Sequence, residues 1–339
     1  MIRNKKIALI LVAMMLVSVF VACNQGGGTQ EAEKPAEGTT ETAPAPSGDG
    51  GFISIATGGT GGTYYPLGGA MATILNGSDM GVQATAQATG ASVENVELIH
   101  VGDAEVAFVQ NDIAYYAYNG IELFDGNPYE DIAGLATLYP EVVQIIAAAG
   151  SGIESVEDMA GKRIAVGAPG SGTEVNARQV LEIHGLTYED LALADYLSFT
   201  EATDQIKNNQ IDAAFVVAAV PSSAVTELAT THDITLVPIA EEKANELIAK
   251  YPYYTFLDIA TEEYRGFDEP VKGVAVQAML IVNSNMDEEL AYNVTKNIFT
   301  NLDAVGESHA RGKDITIETA LDGMPIELHP GAQRFFDEQ

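Results

Sequence analysis

Hydroxyls and glycines crowd one short stretch of this 339-residue chain, Thr57-Gly58-Gly59-Thr60-Gly61-Gly62-Thr63. Glycines let a ligand come close to the backbone, and a helix starting directly behind them offers N–H groups and partial positive charge. The chemistry this suits is capture of an anion, a carboxylate as readily as a phosphate. A helix is expected there, because Leu67, Met71, Ile74 and Leu75 recur at helical spacing. Pro66 falls in its first turn, where a missing N–H is least felt. In front of the loop, Phe52-Ile53-Ser54-Ile55-Ala56 reads as a strand.

The device recurs. Lys162 to Val166 is strand-like, Gly167-Ala168-Pro169-Gly170-Ser171-Gly172-Thr173 forms the loop, and a helix follows. Ser171 and Glu174 stand at capping-box spacing, Ala177, Val180, Leu181 and His184 make its apolar stripe, and Gly185 suits its end. Each half then carries an Ala-Phe-Val strand, with Gly62 46 residues before Phe108 and Gly172 43 residues before Phe215. This loose repeat predicts two similar α/β lobes, each presenting a Gly-rich strand end.

Two more strand ends join the first. A strand over 82–86 leads to Ser92, expected to cap the helix through Val96 and Ile99. A strand over 106–109 ends in Gln110-Asn111-Asp112, with Asp112 expected to cap a Tyr-rich helix that stops at Asn119-Gly120. The ends at 57–63, 89–92 and 110–112 would share one crevice, as carboxyl ends of strands do in open α/β sheets. Two long extended runs, near 135–147 and 271–282, read as crossovers between the lobes.

Several residues carry two readings. Tyr64 and Tyr65 are ligand contacts or interlobe packing; Gln110 is a ligand contact or a strand-terminating amide. Ser171 is first a helix cap, and in Thr173 a cap and a ligand contact are compatible. Arg178, one turn into the second helix, is the candidate charge partner or a solvent-facing side chain. Phe215 reads as core, and Tyr251, Tyr253 and Tyr254 either line the cleft or pack an edge.

The N-terminus reads as an export signal over 1–22, with Arg3, Lys5 and Lys6 ahead of an apolar run from Ile7 to Ala22. The single cysteine, Cys23, follows it directly, as the lipid-bearing residue of a lipobox would. Residues 23–51 lack any large apolar side chain and read as a disordered tether. Removing the three leading cations from 16 basic residues leaves 13 against 48 acidic, a formal charge of −35. That excludes nucleic acid as a partner and electrostatic adhesion to anionic lipid.

Enzyme signatures are missing. No H-E-x-x-H occurs, neither Gly loop is followed by the Lys of a P-loop, and Ser171 lies directly between Gly170 and Gly172 rather than in G-x-S-x-G. No metal site, cofactor or catalytic residue is expected.

ATGGTGGTYYPLGG, TGASVENVELI, AEVAFVQNDIAYYAYNG, SVEDMAGKRIAVGAPGSGT and IDAAFVV, in this order after a lipobox, resemble the TAXI solute receptors of TRAP transporters. The resemblance spans nearly all of 52–339. It implies a two-lobed, periplasmic-binding-protein-like α/β fold (type II) with a hinge and an interlobe ligand cleft. The lobes would be 52–136 with the return segment 273–339, and 137–272. It further implies that loops 57–64, 89–92, 110–111 and 170–173 surround the ligand. The expected contacts are Thr57, Gly61, Gly62, Thr63, Tyr64, Ser92, Gln110, Asn111, Gly170, Ser171, Gly172 and Thr173. The function implied is that of a monomeric, extracytoplasmic, lipid-anchored receptor delivering a small carboxylate, such as glutamate or 2-oxoglutarate, to TRAP permease subunits. An ABC-type import receptor and an α/β enzyme acting on a phosphate-bearing substrate are the alternatives.

Overall fold

The computed structural model describes residues 51–339. The signal segment, Cys23 and the tether up to residue 50 lie outside them.

The first half alternates strands and helices: β1 (Phe52–Ala56), α1 (Tyr64–Asn76), β2 (Gln83–Gln87), α2 (Ser92–Val101), β3 (Val106–Gln110) and α3 (Asn111–Asn119). A long strand, β4 (Ile132–Ala148), leads into the second set. This comprises β5 (Arg163–Ala165), α4 (Gly172–Ile183), β6 (Leu193–Asp195), α5 (Phe199–Lys207), β7 (Ala213–Ala218), α6 (Ser223–Thr231), β8 (Ile234–Leu236), α7 (Glu241–Lys250) and β9 (Thr255–Phe256). The chain returns through β10 (Val274–Asn283) to α8 (Glu288–Phe299), α9 (Leu302–Ser308) and α10 (Pro330–Asp337).

All strands belong to one sheet with the order β2-β1-β3-β10-β4-β7-β5-β6, β8 pairing with β4 and β9 with β10. β1, β2 and β3 run parallel, as do β5, β6 and β7. β10 and β4 are antiparallel to each other and to their outer neighbours, β3 and β7. Nearly every side chain of β4 is buried, and it reads as a continuous apolar run because helices cover both of its faces.

The sheet serves two lobes, and the change occurs partway along β4 and β10. Tyr139 belongs to the first lobe's core, Val142 and Val143 to the second's; on β10, Val276 packs in the second and Ala278 in the first. Between them lie Pro140 and Glu141, paired with Gln277 and Val276, and the register slips between Gln277 and Met279. Proline supplies no ladder N–H, so the pairing is weakest at this point. The long extended runs noted in the sequence are these two strands.

α1 buries Tyr64, Leu67, Gly68, Met71, Ala72 and Leu75 against β1 and β3. Gly68 is needed for this approach: a Cβ there would strike the Thr57 methyl group. Two expected caps are corrected. α2 is preceded by Ala91 at φ 86°, with Ser92 its first helical residue, and the Ser92 hydroxyl accepts from the Gln110 N–H at 3.1 Å instead. α3 starts at Asn111 after Gln110, so Asp112 sits inside its first turn, accepting from the Ile113 N–H. Ser171 does cap α4, its hydroxyl accepting from the Glu174 N–H at 3.2 Å, and Gly185 follows at φ 75°.

Candidate functional site

Where the two lobes face each other they enclose a cavity of about 60 Å³, room for on the order of four to six waters. Its walls are the loops at strand ends and the starts of five helices. Gly62 and Thr63 precede α1 and Tyr64 begins it, Ala91 precedes α2 and Ser92 begins it, and Gln110 precedes α3. Ser171 precedes Gly172 and Thr173 at the start of α4, and Ser198 precedes Phe199 at the start of α5. Helix N-termini carry partial positive charge, so their convergence makes the cavity attractive to an anion. Among the described residues no Lys, Arg or His lines it.

Of the residues expected around the ligand, Gly62, Thr63, Tyr64, Ser92, Gln110, Ser171, Gly172 and Thr173 come together here. Four lie off the cavity. Thr57 turns its hydroxyl to the Gln87 carbonyl at 2.6 Å, while its own carbonyl accepts from Asn95 and Thr89. Asn111 is spent on the return segment, donating to the Gly323 carbonyl and accepting from the Gln277 N–H at 3.0 Å.

The other two, Gly61 and Gly170, clasp one lobe to the other. The Gly61 carbonyl, from the first lobe, accepts from the hydroxyls of Ser222 and Ser223 and from the Ala224 N–H at the start of α6. The Gly170 carbonyl, from the second lobe, accepts at 3.0 Å from the N–H groups of both Val93 and Glu94 on α2. Both latches end on backbone carbonyls, whose direction sequence alone does not reveal.

A carboxyl at the lobe junction also lines the cavity, and sequence reasoning missed it. Glu141 is 2% exposed, and the Tyr64 hydroxyl donates to its Oε2 at 2.7 Å. Burial pushes Glu141 up to about 8, against a lowering by the Tyr64 and Gln110 side chains. It is therefore largely neutral at pH 7. The signal that could have found it is a Pro-Glu pair interrupting an apolar run. Gln110 is 2% exposed; its Oε1 and the Thr63 hydroxyl are buried without a partner. Such groups are seldom left so in a native fold, and both stand at the cavity wall.

A second polar cluster ties the lobes deeper in. Asn176 on α4 donates to Asp112 on α3 at 2.9 Å and to the Tyr254 hydroxyl at 2.7 Å; Tyr254 donates to Gln179, and Gln179 to Tyr116. Burial raises Asp112 to about 7. Tyr253 packs on Tyr115, ring centroids 4.7 Å apart. Tyr253 thus reaches the first lobe without lining the cavity, and Tyr251 and Tyr254 pack in the second lobe's core. Arg178 points outward, 3.7 Å from Glu122 and 3.9 Å from Glu174. Tyr65 is exposed and Phe215 is core. No group of three or more His, Cys, Asp or Glu able to hold a metal occurs among the described residues.

A protein of Bordetella bronchiseptica RB50 is 17% identical, with 84% of this chain and 88% of that one covered at a TM-score of 0.50. The periplasmic aliphatic sulphonate binding protein SsuA of Escherichia coli is 13% identical, covering 85% and 83% at 0.48. A binding protein component of an ABC phosphonate transporter from Pseudomonas aeruginosa is 14% identical, covering 78% and 79% at 0.48. The fold is mixed α/β, with one mixed sheet flanked by helices. Residues 55–339 match the NMT1-like family, and the chain belongs to that family.

Proposed function

We propose that this protein is a solute-binding receptor that closes its lobes on a small organic anion and passes it to a membrane permease. The observation that carries this reading is the convergence of five helix starts on one interlobe cavity, with the buried Thr63 hydroxyl left free to donate. Neutral Glu141 leaves the positive potential of the helix ends uncancelled at pH 7. Closure would use the Gly61 and Gly170 latches, and it changes the surface a permease meets. The cavity supports binding without turnover: Tyr64 and Glu141 form an acid pair with no nucleophile between them.

The permease has two readings. The ABC type is supported by the names of similar proteins, one of them a component of an ABC phosphonate transporter. The TRAP type is supported by the motifs resembling TAXI receptors. Co-reconstitution with the permease encoded beside it separates them: uptake driven by ATP supports the first, uptake driven by an ion gradient the second.

Attachment through Cys23 completes the proposal, placing the receptor outside the cytoplasm on a lipid anchor. Cys23→Ser protein is expected in the soluble fraction, and equal membrane retention removes the anchor from the account. The receptor reading itself is tested by thermal shift against carboxylates, sulfonates, phosphonates and amino acids. A rise in melting temperature with a small anion supports it; a rise only with neutral sugars or cations contradicts it.

A further inference from the structure

Asp112, in the first turn of α3, is a wholly buried carboxyl away from the cavity, and the second lobe helps to bury it. Asn176 on α4 donates to its Oδ2 at 2.9 Å and to the Tyr254 hydroxyl at 2.7 Å. α4 also sets Val175 into the first lobe's apolar cluster with Ile113, which follows Asp112. Opening the lobes withdraws Asn176, Val175 and Tyr254 together and lets water reach the carboxyl. Every titratable group that feels its charge is an acid: Tyr116 on α3, Glu141 on β4, and Tyr253 and Tyr254 ahead of β9. Glu122, just beyond α3, acts on Tyr116 with the same sign. The one cation of α4, Arg178, turns outward to Glu122 and Glu174. The Ile113 N–H favours the ionised carboxyl, but burial outweighs it and pushes Asp112 from 3.8 up to about 7. Closed lobes therefore hold a proton there that open lobes give up to water.

We infer that Asp112 is a positioning residue that couples lobe closure to the uptake of one proton, so that the receptor grips its solute in mildly acid surroundings and lets go more readily as they turn alkaline. The inference rests on the receptor reading and adds its regulation. The step is a single proton transfer from solvent to the Asp112 carboxylate as the lobes meet, with no covalent change in the solute. Its sign follows from the closed state holding the proton more tightly than the open one. Binding is tightest below the open-state value and weakens by up to about tenfold per pH unit until the closed-state value is passed, where it levels off. Asp112 touches no solute, so it acts through α3 and α4, whose starts wall the cavity at Gln110, Gly172 and Thr173.

The test is calorimetric titration of the mature protein and of Asp112→Asn from pH 5 to pH 8, with methanesulfonate, acetate, L-glutamate and 2-oxoglutarate as probes. For a probe that binds, wild-type affinity should fall about ten- to a hundredfold across this range. Buffers of different ionisation heat should show up to one proton taken up per site near pH 6. Asp112→Asn, close to isosteric and neutral throughout, should lose both the fall and the uptake, which a general weakening of the fold would not do. Titration of the probe itself is common to both proteins and cancels in their ratio. A wild-type affinity flat with pH overturns the inference while the receptor reading stands, as does a fall kept in Asp112→Asn and lost in Glu141→Gln. Binding of no small anion overturns both. If Asp112→Asn fails to fold, infrared difference spectra of the wild type decide. The protonated-carboxyl band gained on binding should shift with carbon-13-labelled aspartate, and a shift only with labelled glutamate overturns the inference.

Discussion

The Tyr64 hydroxyl donates to Glu141 across 2.7 Å, joining the first turn of α1 to the point on β4 where one lobe gives way to the other. The bond links the interlobe cavity to the junction where β4 passes from one core to the other. Tyr64 also packs on Phe108, ring centroids 5.0 Å apart, so the phenol is held by β3 as well.

Glu141 and Asp112 make stability depend on pH in a defined direction. Both are raised in the folded state, to about 8 and about 7 from 4.5 and 3.8. The unfolded chain loses these protons first as pH rises. Their stabilising contribution is thus complete below about pH 4 and is lost as pH climbs to 7–8. Each group costs up to about 1.4 kcal/mol per pH unit within its window. Melting temperature should fall from pH 5 to pH 8, and Glu141→Gln should flatten that fall. A slope identical to wild type would remove Glu141 from the explanation.

Gly172, at the start of α4, packs against Gln110 and Ile113 of the first lobe at the cavity wall. A Cβ there would overlap the Gln110 side chain and press on Ile113 at 3.2 Å. Gly172→Ala should hold the lobes apart, weakening ligand binding at least tenfold while both cores stay folded. Small-angle scattering of ligand-saturated variant and wild type checks this; equal compactness and affinity would contradict it.

The Gly61 latch can be weakened from the other lobe without touching the cavity. Ser222→Ala with Ser223→Ala removes two donors to the Gly61 carbonyl. Such bonds contribute about 0.5–1.5 kcal/mol each, so the double change should raise the dissociation rate several-fold to a hundredfold. Stopped-flow measurement of dissociation reports it, and an unaltered rate would show that the latch plays no part in closure.

Much of this arrangement is legible in the sequence because it rests on local signals. The Gly loops at 57–63 and 167–173, the Ala-Phe-Val strands and the apolar stripe of α1 place the strand–loop–helix units in both halves. The extended runs find β4 and β10 because a strand buried on both faces is apolar throughout. What stays hidden depends on contacts between distant segments. Glu141 lies inside an apolar run, and its meaning appears only when Tyr64, 77 residues away, is brought to it. Gly61 and Gly170 read as ligand loops, yet their carbonyls face the opposite lobe. Ser92 and Asp112 look like caps because cap residues and first-turn residues share the same side chains.

The central claim is that one cavity, walled by both lobes, binds the solute. Gln110 stands on the first lobe and Thr173 on the second, both lining it. Titration calorimetry of wild type, Gln110→Ala and Thr173→Ala with the small acid identified by thermal shift tests this most directly. Losing a hydrogen bond to a charged group costs about 1.5–3 kcal/mol, so each variant should bind roughly ten- to a hundredfold more weakly at an unchanged melting temperature. Wild-type affinity in both variants would contradict the claim.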